Sequence, residues 1–404
     1  MKTVLVCAVL WLNLIAAHAD RVADLIYSLG SPSVSIRADA AEGLAHAKDK
    51  RAVPALIRGL GDPVEEVRGQ CLRALAGAID KTQTPALLAA LADVSPERRA
   101  GAATLLGILN DRRAVEPLVR ALHDNDPHVR ALAGESLGTL GDSRAAVALR
   151  PLLNDANPRV RLKTVSALGR LRDRNSAIPI VRLLHDTSRD VRAAAAMALA
   201  QIRDPNVTPD LIQVVEKRQG TPFDVRFYAA YALGTLGDHR AVRTLIEGLK
   251  DADPNLRATS AGALGAMRDL AALPALLAAL KDPHRLVRFN AAQALGSLRD
   301  RRAVPKLING LKDEAEDVRE QCAKALGRIG DRRAVPPLIA TFADSDEAIP
   351  KAAVLALGRI GDPAALPAVR GLLRHSDATV RLAAADVIKM LDRSQPARAG
   401  EPSH

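Results

Sequence analysis

The stretch GTPFDVRFYAAYALGTLGD, residues 220–238, gathers Phe223, Phe227, Tyr228 and Tyr231, half of the eight Phe, Tyr and Trp residues in a chain of 404. Tyrosine joins a flat apolar ring to a polar tip, which suits it to anchor a partner surface or peptide. The other candidates are charged. An aspartate stands six residues before an arginine in Asp62/Arg68, Asp124/Arg130, Asp155/Arg161, Asp282/Arg288 and Asp313/Arg319. A carboxylate and a guanidinium bond in bidentate geometry, so these read as structural pairs rather than as acid–base machinery. Arg112-Arg113, Arg301-Arg302 and Arg332-Arg333 would make a basic ridge, a salt-sensitive seat for an acidic polymer or headgroup. The nine histidines show no metal-ligand spacing. No nucleophile, acid–base dyad or phosphate loop is present, so no catalytic residue, metal or cofactor is expected.

What positions these residues is a repeat. The arginine of a Val-Arg-type step falls at Arg37, Arg68, Arg99, Arg130, Arg161 and Arg192. After one interval of 34 it returns at Arg226, Arg257, Arg288 and Arg319; the next slot is Pro350 and the last is Arg381. Every other interval is 31, which gives twelve copies. Each copy reads as two helices. Helix A follows an Asp-Arg-Arg-type turn, often with proline in its first turn, as at Pro54, Pro274, Pro305 and Pro336. Helix B carries small residues and a leucine, and the glycine of a Leu-Gly-Asp run terminates it. One such hairpin cannot bury its own apolar face, but stacked neighbours can. The expected fold is therefore all-α, an α-solenoid of about twelve two-helix repeats.

The ends differ from the array. MKTVLVCAVLWLNLIAAHAD reads as a secretory signal over residues 1–19, cleaved before Asp20, with an uncleaved membrane anchor as the alternative. The array then occupies 20–392, and 393–404 form a loose tail. An exported protein, periplasmic or extracellular, is expected, with no membrane span in the mature chain. Cys71 and Cys322 occupy one equivalent slot, where other copies carry alanine, and read as buried small residues.

The period and the pattern AVPxLIxxLxDxxxxVRxxAAxALGxLGD resemble the HEAT-like repeats of phycobilin-lyase type, over about residues 20–392. The resemblance implies the solenoid, and a ladder of the Asp/Arg pairs between adjacent copies. It does not imply one activity. A HEAT-like family with a di-iron centre relies on His-Glu pairs, and this chain has no His-Glu dipeptide.

In such a solenoid helix B builds the inner face. Tyr228 and Tyr231 lie two and five residues after Arg226, the phases of Asn290 and Gln293 after Arg288. Copy 8 offers only Ala258, Thr259, Gly262 and Ala266 nearby, which would leave a trough walled by Tyr228 and Tyr231 on one side and Phe289, Asn290 and Gln293 on the other. A protein partner is the expected occupant, on a non-enzymatic scaffold. The alternatives are a small ligand held by a lyase- or isomerase-like enzyme in that trough, and an acidic polymer on the arginine edge. Nucleic acid is not an expected partner.

Overall fold

The computed structural model describes residues 21–217 and 223–393, and among them all regular structure is helical, with no strand. The expected signal segment, the tail beyond Arg393 and residues 218–222 of the insertion at 217–222 lie outside the described residues. Copy 10 shows the plan. The Asp300 side chain accepts a hydrogen bond from the Arg302 N–H and opens a 3-10 turn, Arg301–Ala303. The turn runs into helix A, Val304–Gly310, with Pro305 in its first turn, and helix B follows over Glu316–Ile329. Seven residues of helix do not persist alone in water. Helix A is held because Val304 and Leu307 are buried on the helix B that carries Val318, Cys322 and Leu326, also buried. Each fully buried leucine contributes roughly 2 kcal/mol.

The helices gather into two compact units, one ending at Ile202 and one beginning at Arg203. Within each unit helix B packs on helix B of the next copy. In the first unit these helices include Val34–Ala47, Glu65–Ala78, Pro96–Leu109 and Pro127–Leu140. In the second they include Phe223–Leu236, Pro254–Met267, Arg285–Leu298, Glu316–Ile329 and Ala348–Ile360, copies 7 to 11.

The two glycines of the ALGxLGD pattern do different work. The first sets how closely copies approach. A Cβ on Gly138 would lie 2.7 Å from Ala167 Cα, and on Gly265 or Gly327 it would lie 2.6 Å from Cα of Ala294 or Ala356. The second glycine is the terminator, but it is not obligatory. Gly141, Gly237, Gly330 and Gly361 take positive φ there, and so do Lys48, Asn110, Arg172, Arg203, Arg268 and Arg299. One junction departs from the rule. Twenty-nine residues separate each close pair, so Ala76 falls opposite Leu105, both larger than the Gly/Ala pairs elsewhere. Helix B of copy 2 does not pack on that of copy 3 along its length, and a recess of about 190 Å³ opens there beside Leu60, Arg68 and His128.

The Asp/Arg pairs form the ladder, with a correction to who bonds whom. The ion pair is not made across the six-residue spacing. Arg130 donates from Nε and Nη2 to Asp155 of the next copy at 2.8 and 3.0 Å, and its Nη1 donates to the backbone carbonyl of Asp124, six residues back. Arg37/Asp62, Arg99/Asp124, Arg161/Asp186, Arg257/Asp282, Arg288/Asp313 and Arg319/Asp344 repeat the 25-residue step at 2.6–3.0 Å. Arg68 departs from this: among the described residues it donates to the Asp62 and Pro63 carbonyls, while Asp93 is taken by Arg98. The loose junction between copies 2 and 3 accounts for that. At the other end Pro350 and His375 occupy the arginine and aspartate slots together, so both partners of that rung are absent. Across the insertion, Arg226 keeps its aspartate, Asp251, at 2.6 Å, but bonds the Val215 carbonyl, eleven residues back.

Burial alone would raise the carboxyls of Asp62, Asp124, Asp155, Asp186 and Asp282. The guanidinium and the N–H two residues further on outweigh it, and each lies below the ordinary range. Asp142, Asp238 and Asp331, bonded first by Arg144, Arg240 and Arg333, are held at about 2. A depressed folded-state value means that the stabilisation is complete above the unfolded value, about 3.9. It is lost as pH falls through the folded values. Loss of helical circular dichroism is therefore expected between about pH 4 and pH 2. A midpoint above about pH 5 would contradict the assignment.

Both cysteines are free and buried, and burial pushes their thiols up to about 12. A glycine makes room for each sulfur: a Cβ on Gly59 or Gly310 would collide with Cys71 Sγ or Cys322 Sγ. Copy 9 fills the equivalent slots with Ala279 and Ala291. Gly310→Ala is accordingly expected to cost about 1–3 kcal/mol by overpacking. Cys322→Ala in the same chain should recover most of that, as urea unfolding of the single and double variants would show.

Candidate functional site

The helix B face of the second unit carries a trough of about 680 Å³. Copy 7 supplies Phe227, Tyr231, Gly234 and Thr235, and copy 9 supplies Leu286 and Asn290. Copy 8 supplies the floor, with Ala258, Thr259, Gly262 and Ala266 among its residues. Each set repeats at three- and four-residue steps, so each is one stripe of a helix. Tyr231 is 46% exposed. Thr259 Oγ1 donates to the Asn255 carbonyl and Asn290 Nδ2 to the Leu286 carbonyl, so these polar groups are partly satisfied within their own helices.

Of the five expected wall residues, Tyr231 and Asn290 come together here. Tyr228 does not line the trough; it is half-buried, its ring set edge-on to Phe227 with centroids 5.1 Å apart. Phe289 is half-buried outside the lining, and Gln293 lines a neighbouring recess. The reason is geometric. The two walls across copy 8 draw on different turns of equivalent helices. Copy 7 presents positions one, five, eight and nine after its arginine, whereas copy 9 presents the positions two before and two after its own. Matching both walls at one phase therefore put Tyr228 in the wall and passed over Phe227. Phe223 has no described side chain.

Gln293, Gly296 and Ser297 repeat the phases of Tyr231, Gly234 and Thr235 two copies on. They open a second recess of about 670 Å³, completed by Arg268, Arg299, Gly327, Arg328, Gly330 and Arg359.

The basic ridge is largely compensated within the chain. The second arginine of each pair folds back on its own capping aspartate: Arg113 on Asp111 at 2.6 Å, Arg302 on Asp300 at 2.7 Å and Arg333 on Asp331 at 2.8 Å. The first reaches the capping aspartate of the next copy, as Arg301 reaches Asp331 at 4.0 Å and Arg332 reaches Asp362 at 3.7 Å. His239 makes the same 30-residue step to Asp269 at 2.7 Å. This second ladder escaped the sequence reading, although the regular spacing of Asp-Arg-Arg could have shown it. Among the described residues no cluster of three or more His, Cys, Asp or Glu could hold a metal ion, and no helix is long and apolar enough to cross a membrane.

Among solved structures, the chain resembles importin β in an ammonium sulfate condition, with a TM-score of 0.66 and 16% identity over 92% of this chain. The Kap95:Nup1 complex gives 0.64 and 16% over 94%, and Kap121p gives 0.57 and 13% over 93%. At these identities the likeness is one of fold. The chain spans 61%, 62% and 50% of the lengths of those three. A comparison with curated proteins finds no match. The family profile for HEAT repeats matches residues 22–99, 84–157, 147–222, 217–296, 242–316, 273–351 and 336–398. Those matches run along nearly all of the array, and the chain belongs to the HEAT-repeat family.

Proposed function

We propose that the protein is a non-enzymatic scaffold that docks a protein partner on the helix B face of copies 7 to 9. The observation that carries this reading is the trough itself. It is open, walled by Phe227, Tyr231 and Leu286, floored by small side chains, and lined by no carboxylate, histidine or thiol. An exposed tyrosine and a half-buried phenylalanine beside a small-residue floor suit an apolar anchor of a partner, while the lining offers no pair of groups to pass a proton between. The Kap95:Nup1 complex illustrates the same fold holding a protein. The leader-like segment at 1–19 supports action after export, and the short period supports kinship with the phycobilin-lyase kind of repeat.

Gentle crosslinking and copurification from cells tests this, comparing wild type with Tyr231→Ala, Thr259→Arg. The reading expects a protein retained by wild type and lost from the variant, with helical circular dichroism unchanged. A small molecule recovered in place of a protein would move the function to the enzyme reading.

A further inference from the structure

Resting on that scaffold reading, we infer that the recess at copies 8 to 11 binds an acidic segment of the same partner, continuous with the part held in the trough. Arg268, Arg299, Arg328 and Arg359 line the recess with no carboxylate among its residues. None of the four has an ion pair among the described residues, in contrast to the laddered arginines. The aspartates adjacent in sequence are engaged elsewhere: Asp269 by His239, Asp300 by Arg302 and Asp331 by Arg333. The charge is thus uncompensated by ion pairs among the described residues.

The recess gathers more charge than one helix end requires. Arginine near a helix C-terminus offsets the macrodipole, which would account for a lone residue. Here, however, four guanidinium groups converge on one recess, and Arg268 and Arg299 hold φ of 54° and 55° at the helix B terminator, as Lys48, Asn110, Arg172 and Arg203 do in other copies while copies 4, 7, 10 and 11 place glycine. A side chain in that conformation is disfavoured, so glycine is tolerated at those two positions. The Arg328 stem is laid over Gly296, and Gly296 and Gly327 are glycines at which neighbouring helices B approach closely.

The chemistry and spacing favour a carboxylate-bearing peptide. A guanidinium fork matches a carboxylate in bidentate geometry. Successive copies stand about 10 Å apart, which is about three residues of extended peptide. The recess also continues the trough, because Asn290 of one and Gln293 of the other lie one turn apart on the same helix.

The test uses the full chain and a fluorescein-labelled hexaglutamate peptide, read by anisotropy. Arg268→Gly, Arg299→Gly is expected to melt at or above the wild-type temperature, since glycine relieves the strain, while binding the probe about tenfold or more weakly. Arg328→Gln, Arg359→Gln should weaken it similarly. The ridge variant Arg301→Gln, Arg332→Gln removes the same charge and should change binding by less than about threefold. Equal loss in the ridge variant, unchanged binding in the recess variants, or displacement by tripolyphosphate at lower concentration than by unlabelled hexaglutamate would each overturn the inference. Copurification separates the two proposals. A partner lost with Tyr231→Ala, Thr259→Arg but retained fully by Arg268→Gly, Arg299→Gly leaves the scaffold standing and removes its acidic segment. A partner retained by both removes the scaffold reading.

Discussion

Gly265→Val is expected to destabilise the unit that begins at Arg203 by about 3 kcal/mol or more. A Cβ at Gly265 would sit 2.6 Å from Ala294 Cα and 2.7 Å from its Cβ. The obstacle is backbone, so no side-chain rotation relieves it. Helix B of copies 8 and 9 would have to part, and the Arg257–Asp282 rung, which closes at 2.7 Å across the same junction, would stretch with them. The control lies on the same helix. A Cβ at Gly262 meets only Asn290 Oδ1, at 3.6 Å, an ordinary contact. Gly262→Ala should therefore be tolerated, and even gain up to about 1 kcal/mol from helix propensity. Urea unfolding of the two variants checks the pair. Equal effects would mean that close approach at the first glycine does not set the spacing of copies.

The second large effect is expected at Arg288. Its side chain is buried, and its guanidinium bonds Asp313 through Nε and Nη2 at 2.8 Å, Glu314 at 3.0 Å, and the Asp282 and Pro283 carbonyls at 3.0 and 3.2 Å. Arg288→Leu would leave the Asp313 carboxylate and two carbonyls short of their donors in a partly dry junction. Removing one partner of such a pair costs about 3–5 kcal/mol. Arg285, 64% exposed and 3.8 Å from Asp317, supplies the contrast. Arg285→Ala should cost less than about 1 kcal/mol. A small effect at Arg288 would mean that the ladder decorates the junctions rather than fixing them.

Much of this architecture was legible in the sequence because it repeats. A phase of 31 residues fixes which positions are equivalent, and the Asp/Arg slots then had to recur between copies. What recurrence cannot show is direction. The six-residue Asp/Arg spacing is a hydrogen bond to backbone, and the ion pair runs 25 residues forward, which only packing reveals. Direction also decided the trough. Tyr231 and Asn290 both line it, but Tyr228 packs edge-on to Phe227, and the two walls come from different turns of equivalent helices. The exceptions were harder still. Ala76 opposite Leu105 leaves Arg68 without its rung, and that follows from two side-chain sizes rather than from the pattern. The arginine recess was hidden for another reason: its four side chains come from four copies and two phases, and no linear motif joins them.

The central claim is that a protein partner occupies the trough of copies 7 to 9. A photo-crosslinking amino acid placed at Tyr231, with Leu270 as the exposed control outside the lining, tests it most directly. The account predicts one discrete protein adduct from position 231, absent from position 270 and suppressed when Thr259→Arg fills the floor. No adduct at 231, or the same adducts from both positions, would contradict it.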